Sequence, residues 1–151
     1  MRITARQVFV GPSQYAHFPV IRLELDLGVL EQWPTGRLGQ AFVDALIDAV
    51  PELAQHGCSY KEPGGLIRRM RENEGTWLGH VLEHVAIGLQ NMAGEDVTFG
   101  RTRSIDGRAG VYSVVYEYAQ REEGIEAGEL ALKLLSSLLP DELNSERAVP
   151  A

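Results

Sequence analysis

Cysteine is nearly absent from this chain: of its 151 residues, Cys58 is the single cysteine, so the chain cannot form an internal disulfide. Such cysteine usage is typical of proteins that fold in a reducing compartment. Also missing are an apolar run long enough to cross a membrane and, at the first residues, the apolar stretch of a secretory signal. These absences predict a cytoplasmic protein that does not insert into membranes.

Basic residues are outnumbered by acidic ones, with 14 Lys and Arg against 21 Asp and Glu and a net charge of −7. This negative charge opposes binding to a phosphate backbone, so we expect no nucleic-acid partner, and it suits a cationic substrate. The chain also lacks the G-x-G-x-x-G fingerprint, the P-loop and the G-x-S-x-G elbow. We therefore expect no nucleotide site within it.

The length and the hydrophobic pattern predict one α+β domain. Strands are predicted at 2–10, 20–27, 97–103 and 110–118, the last two as a hairpin, and helices at 36–49, 66–72, 76–92 and 125–139. We expect a mostly antiparallel sheet of about four strands with helices packed mainly on one face. The domain is predicted to span residues 1–140, and residues 141–151 to form a polar, frayed tail.

The strongest functional pattern is H-x-x-E-H, formed by His80, Glu83 and His84. Residues three and four positions apart share one side of a helix, so both imidazoles can reach a single divalent cation. Glu83 lies on the same side and can accept a proton from water, as in the inverzincin metallopeptidases. The apolar residues of the same helix fall on the opposite side: Leu78, Val81, Leu82, Val85, Leu89 and Met92. A competing interpretation makes both histidines solvated surface residues with Glu83 as a local partner.

A catalytic zinc site needs a third protein ligand beside two histidines, with water at the fourth position. Cys58 is favoured because a thiolate binds zinc strongly, although a lone cysteine is more often a small buried hydrophobe. Glu117, at the end of the last predicted strand, is the alternative, although such a residue is more often a solvated strand end. His56 is a further candidate, and the residues alone leave this choice open.

Arginines cluster at two places, Arg68 to Arg71 on a short helix and Arg101 to Arg108 on the predicted hairpin. Guanidinium groups pair well with carboxylates, so either cluster could hold an acidic polymer. The alternative for Arg101 and Arg103 is the solvated face of an edge strand, where charge discourages aggregation.

Several short motifs, in order along the chain, resemble the N-terminal domain of cyanophycin synthetase: Gly11-Pro12, His56-x-Cys58-Ser59, Pro63-Gly64-Gly65, Glu74-Gly75-Thr76, Leu78-Gly79-His80, Phe99-Gly100-Arg101-Thr102-Arg103 and Gly110-Val111-Tyr112. The resemblance covers residues 1–140. It implies a domain that holds cyanophycin, a poly-aspartate with arginine on each side-chain carboxylate. It also implies ATP-grasp and Mur-ligase-like modules as partners, which this chain does not contain. In some members of the family this domain also cleaves the polymer at the H-x-x-E-H helix and so supplies primers.

The resemblance implies roles for individual residues. His80 and His84 become expected ligands of Zn²⁺, Glu83 the general base and Cys58 the best third ligand. The arginines of the Phe-Gly-Arg-Thr-Arg segment, Arg101 and Arg103, become expected polymer contacts.

The chain departs from the family pattern at Gly88, where the family usually has a glutamate one turn after His84. If that carboxylate orients a ligand, its absence predicts weaker metal binding. Three functions follow as hypotheses: a zinc-dependent hydrolase of the polymer, a non-catalytic polymer-binding module with a vestigial site, and a domain that only docks within a larger enzyme.

Overall fold

The fold is built on a four-stranded antiparallel sheet with the strand order β1-β2-β4-β3. The computed structural model describes residues 1–57 and 62–143. The strands are β1 (Arg2–Phe9), β2 (Val20–Asp26), β3 (Gly100–Ser104) and β4 (Val111–Glu117). The helices are α1 (Thr35–Leu38), α2 (Gln40–Ala49), α3 (Gly65–Met70), α4 (Leu78–Met92) and α5 (Arg121–Leu138), with 3-10 helices at Gly28–Gln32 and Pro51–Gln55. The predicted α+β class and antiparallel sheet are confirmed.

Strand β2, one of the two central strands, has one apolar and one polar side. Ile21, Leu23 and Leu25 are at most 1% exposed and belong to the core that the sheet shares with the helices. The alternate residue Arg22 bonds across the other face to Ser113 of β4, with 2.9 Å from Nε to Oγ. Side chains alternate between faces along a strand, so the apolar residues of β2 lie on one face of the sheet and its charged residues on the other.

Helix α4 is enclosed by its neighbours. It packs against β3, β4, α5 and the 3-10 helix Pro51–Gln55. Its residues from Leu78 to Ile87 are buried with the single exception of His80, which is half-buried. Met92, expected on the buried side, is 51% exposed at the end of the helix. Within the part of the chain that the structure describes, no helix is long and apolar enough to span a membrane.

Several boundaries differ from those that the pattern predicts. The helix expected over 36–49 is divided by Gly39, whose φ of +101° ends α1 before α2 begins. Helix α5 begins at Arg121 rather than at residue 125. Leu143 is 5% exposed and packs in the core, whereas residues 144–151 of the predicted tail lie outside the described residues.

The segment 97–99 is a loop rather than the start of β3. Its backbone is held partly by side chains, and the Phe99 carbonyl also accepts a hydrogen bond from the N–H of Glu117 in β4 at 2.9 Å. Asn91 bonds both the N–H and the C=O of Val97, at 2.9 Å each. Glu117 accepts hydrogen bonds from the N–H groups of Thr98 and Phe99 at 3.0 and 3.1 Å. This loop forms one wall of the candidate site.

Candidate metal centre

Helix α4 brings the three residues of the H-x-x-E-H motif together. One ligand atom from each of His80, Glu83 and His84 lies within 4.8 Å of the others. Glu83 is 4% and His84 7% exposed, so the titratable side of the helix is buried as well as the apolar side. This burial contradicts the interpretation as a solvated surface residue for His84, whereas His80 is half-buried.

The motif opens into a cavity of about 760 Å³. Glu83 and His84 line it from α4, and Glu52 and His56 line it from the region of the 3-10 helix Pro51–Gln55. The rings of Phe18 and Phe99 line another part of the cavity and pack edge to face, with 5.3 Å between ring centres. The other residues that line it are Gln55, Gly57, Ile87, Asn91, Val97, Thr98 and Gly100. The charged side chains among these described residues are carboxylates, and no Lys or Arg is among them, so the cavity is suited to a neutral or cationic group.

Both motif histidines hold one ring nitrogen toward the shared space and the other toward a further side chain. The Nε2 atoms of His80 and His84 lie 3.1 Å apart. Nδ1 of His80 is 3.0 Å from Thr76 Oγ1, and Nδ1 of His84 is 2.8 Å from Nδ1 of His56. The Nε2 atom of His56 in turn contacts Glu52 Oε2.

These donors fit a zinc ion. Two imidazole nitrogens are ligands that Zn²⁺ accepts, and Glu83 Oε2 lies 3.5 Å from His84 Nε2, where a carboxylate can take a proton from water beside the ion. Ligating histidines usually engage their second nitrogen in a hydrogen bond, as both rings do here. Burial lowers the pKa of His84 to about 2 and also lowers the pKa of His80, so both rings are neutral at pH 7 and keep a lone pair for a cation.

Glu83 has the environment of a general base. Thr102 donates a hydrogen bond from Oγ1 to Glu83 Oε1 at 2.8 Å. Burial raises the pKa of Glu83 from 4.5 to about 7, although the Thr102 hydrogen bond works against this shift. A base whose pKa lies near the working pH transfers protons most effectively.

The predicted third ligands have different outcomes. Cys58 lies outside the described residues. The carboxylate of Glu117 caps the loop 97–99 and is not among the residues whose ligand atoms gather around the motif. His56 does reach the cluster, but it contacts the Nδ1 side of His84, away from His80.

Sequence reasoning missed three residues of this site: Glu52, Thr76 and Thr102. Thr76 lies one helical turn before His80, a spacing at which a hydroxyl can reach the ring, so this contact could have been anticipated. Thr102 and Glu52 come from a strand and a 3-10 helix that are distant in sequence, and no local pattern marks them.

The predicted polymer contacts lie on the other face of the sheet. Thr102 of β3 points to α4, so Arg101 and Arg103, its neighbours in the strand, point away from the motif. Both arginines are exposed and line a groove of about 360 Å³ together with Arg22 and Tyr15. Within the described residues, neither Arg101 nor Arg103 is paired with an acidic side chain. We call this surface the arginine groove.

The chain has clear relatives. Residues 21–140 match the family model of the cyanophycin synthase-like N-terminal domain. Similar curated proteins include the cyanophycin synthetases of Trichormus variabilis, Synechocystis sp. and Geminocystis herdmanii, at 40%, 38% and 36% identity over 141 residues. Each alignment covers 92% of this chain and 15–16% of the relative, so the chain spans about a sixth of the length of these proteins. The chain belongs to the cyanophycin synthase-like N-terminal domain family.

Proposed function

We propose that this domain binds cyanophycin and cleaves its poly-aspartate backbone by metal-dependent hydrolysis, which yields short chains that can prime synthesis. The observation that carries the proposal is the convergence of His80 Nε2, His84 Nε2 and the Glu83 carboxyl group beside a cavity that Glu83 and His84 line. The substrate follows from the relatives, which are named cyanophycin synthetases.

His80 and His84 would hold the metal, and Glu83 would move the proton. A bound Zn²⁺ supplies a Lewis acid that polarises a carbonyl and acidifies a water molecule. Glu83 accepts a proton from the attacking water and delivers it to the nitrogen of the cleaved amide. The C–N bond is replaced by a carboxylic acid group on one product and an amine on the other.

The cavity suits a polymer that carries arginine side chains. Glu52 and Glu83 provide its charge, and the Phe18 and Phe99 rings offer faces on which a guanidinium group can stack. Because β3 is an edge strand, an extended polymer can pass over it from the arginine groove to the cavity. In that arrangement Arg101 and Arg103 would bind carboxylates of the polymer while the motif acts on its backbone.

Replacing Glu83 with glutamine tests the hydrolase. The carboxamide has nearly the same shape but cannot accept the proton, so we expect Glu83→Gln to retain zinc and lose cleavage by at least about a hundredfold. Mass spectrometry of cyanophycin incubated with the domain measures the products, with and without a chelator, and metal analysis measures the zinc. The exposed residue Glu122 offers a matched control, Glu122→Gln, which should cleave like the wild type. Undiminished cleavage by Glu83→Gln would exclude this mechanism.

A non-catalytic polymer-holding module is the second candidate, favoured by Arg101 and Arg103 of the arginine groove, which have no acidic partner among the described residues. Such a module would present the chain end to ATP-grasp and Mur-ligase-like modules of a larger synthetase. Metal analysis separates the two candidates, because the hydrolase requires about one zinc per chain that is lost in His80→Ala. Polymer binding by a protein without zinc would support the holding module instead.

A further inference from the structure

Five side chains form one continuous chain of contacts through the candidate metal centre. It runs from Thr76 Oγ1 to His80, then to His84, then to His56, and ends at the carboxylate of Glu52. Each of the three imidazoles uses both of its ring nitrogens in this chain. Glu52 and His56 come from the segment around the 3-10 helix Pro51–Gln55, not from α4. We call this series the histidine chain.

The Glu52 end gives the histidine chain a direction. An ionised carboxylate only accepts hydrogen bonds, so Nε2 of His56 must carry a proton. A neutral imidazole has one donor and one acceptor nitrogen, so Nδ1 of His56 accepts. With His56 neutral, Nδ1 of His84 donates across the 2.8 Å contact, which leaves the lone pair of His84 on Nε2.

The Thr76 end leaves the other motif histidine adjustable. A hydroxyl group can donate or accept, so Thr76 can satisfy Nδ1 of His80 in either tautomer. With the lone pair of His84 on Nε2, the contact of 3.1 Å between the two Nε2 atoms requires His80 Nε2 as the donor. With a cation held at Nε2, the proton of His80 would reside on Nδ1, and this N–H would donate a hydrogen bond to Thr76 Oγ1. One end of the chain is fixed and the other can reverse.

The surroundings keep the Glu52 carboxylate in place. Asn91 donates from Nδ2 to Glu52 Oε1 at 3.3 Å, which leaves Oε2 for His56. Gly88 of α4 provides the space, since a Cβ atom there would lie 3.2 Å from Glu52 Oε2 and 3.1 Å from Val50 Cγ1. A carboxylate is therefore held beside the centre although α4 itself carries none at this turn.

We infer that Glu52 and His56 are positioning residues that hold His84 in the Nδ1–H tautomer, so that its Nε2 lone pair is presented to the cation. The inference deepens the proposed function and rests on it for the identity of the cation as a divalent metal. Partners of this kind change metal affinity by about 10-fold to 100-fold when they are removed.

Nitrogen NMR of the histidine rings tests the tautomer without metal or substrate. In metal-free protein at about pH 8, labelled with ¹⁵N on histidine, we expect His84 to show a protonated Nδ1 and an unprotonated Nε2. In Glu52→Leu, which has no acceptor for His56, the His84 signals should move toward a mixture of tautomers. A protonated Nε2 on His84 in the wild type, as a cationic His56 would produce, overturns the inference.

Zinc affinity provides the second readout, measured by competition with a chromogenic chelator. We expect Glu52→Gln and Glu52→Leu to weaken zinc binding about 10-fold to 100-fold. Glu52→Asp keeps a carboxylate and should weaken zinc binding less, and Glu122→Gln should leave the affinity unchanged. Unchanged affinity in Glu52→Leu, with that variant folded by circular dichroism, overturns the positioning role. The NMR result stands apart from the hydrolase, because a wild type with the expected tautomer and no cleavage would reject only the proposed function.

Discussion

At the scale of single residues, Glu83 is a carboxylic acid that is 4% exposed and accepts a hydrogen bond from Thr102. Burial in this position disfavours its charged form, whereas at His84 burial disfavours the cation. The two neighbours in sequence therefore shift in opposite directions: the pKa of Glu83 rises and that of His84 falls. Near neutral pH the His84 ring is therefore neutral and Glu83 is partly protonated, and the free energy of unfolding of the protein depends on pH through both groups.

The stability of the metal-free protein should reveal the Glu83 shift. The folded pKa of about 7 exceeds the ordinary value of 4.5, so the stabilisation is complete below about pH 4.5 and is lost as the pH rises through 7. His84 acts in the opposite sense, since its stabilisation is present above its ordinary pKa of 6.5 and is lost as the pH falls. Comparison with Glu83→Gln cancels the His84 contribution.

We therefore expect the free energy of unfolding of the wild type, relative to Glu83→Gln, to fall by about 2–3 kcal/mol between about pH 5 and pH 8. Urea unfolding in the presence of a chelator measures both proteins across this range. A constant difference between them would mean that Glu83 ionises in the folded protein as it does in the unfolded chain.

Gly100 keeps space for the Glu83 carboxyl group. A Cβ atom at this position would overlap Glu83 Oε2 and lie 2.6 Å from its Cγ and Cδ atoms. Gly100→Ala should therefore displace the carboxyl group and reduce cleavage by about a hundredfold, the loss typical of a misplaced catalytic group. Gly11→Ala is the control, since a Cβ there meets nothing within 4 Å. Cleavage rates equal to the wild type in both variants would show that the Glu83 position is not critical.

At the scale of elements, helix α5 approaches the sheet through glycines. Gly124 and Gly128 are buried against Tyr118 and Tyr116. The Tyr116 hydroxyl donates to the Gly124 carbonyl at 2.6 Å. Glycine weakens a helix by about 1 kcal/mol relative to alanine, so the pattern alone marks these positions as unfavourable. Packing explains the two glycines, because the lack of a side chain lets α5 lie directly on Tyr116 of β4 and on Tyr118, which follows β4.

Gly124→Ala should destabilise the domain in spite of the better helix propensity of alanine. Its Cβ atom would lie 2.5 Å from Tyr118 Cβ and 3.0 Å from Ile21 Cδ1, and the Tyr118 atom cannot move without the backbone. We expect the free energy of unfolding to fall by about 1–3 kcal/mol, the range of overpacked cores. Glu126→Ala, an exposed change in the same helix, should have an effect within about 0.5 kcal/mol. Thermal unfolding compares them, and a stabilised Gly124→Ala would contradict this packing.

At the scale of the whole molecule, β3 lies between the two surfaces that the proposed function requires. Thr102 faces α4 and supports Glu83, whereas Arg101 and Arg103 face the arginine groove. A strand presents successive side chains to opposite sides of its sheet. One strand of five residues therefore contributes to both the metal centre and the expected polymer contact.

The two surfaces should respond to substitution independently, because Arg101 and Arg103 point away from the motif. The double variant Arg101→Ala, Arg103→Ala should weaken binding to cyanophycin by about tenfold or more, since charge-assisted hydrogen bonds are lost, and should leave zinc affinity unchanged. Conversely, Glu83→Gln changes the metal centre and should bind cyanophycin like the wild type. Co-sedimentation with cyanophycin granules measures binding, and Arg121→Ala on α5 is the control for general charge. Loss of zinc in the arginine variant would show that the surfaces are coupled.

The sequence by itself determined those features that depend on neighbours within one element. Alternation along β2 predicted its buried and polar faces, and helical spacing predicted that His80, Glu83 and His84 lie together. The weaker metal binding expected from Gly88 stays a prediction, and the structure adds that the Glu52 carboxylate lies beside Gly88.

Only the tertiary structure decided which groups meet across elements. His56 contacts His84, and Thr102 supports Glu83, although each pair is far apart in the chain. The position of the arginine groove on the other face of the sheet also follows from the packing of distant segments. The physical reason is that spacing along a helix or strand sets the direction of a side chain, whereas desolvation and hydrogen-bond partners depend on what packs against it. The raised pKa of Glu83 is such a property, since burial by the surrounding elements produces it.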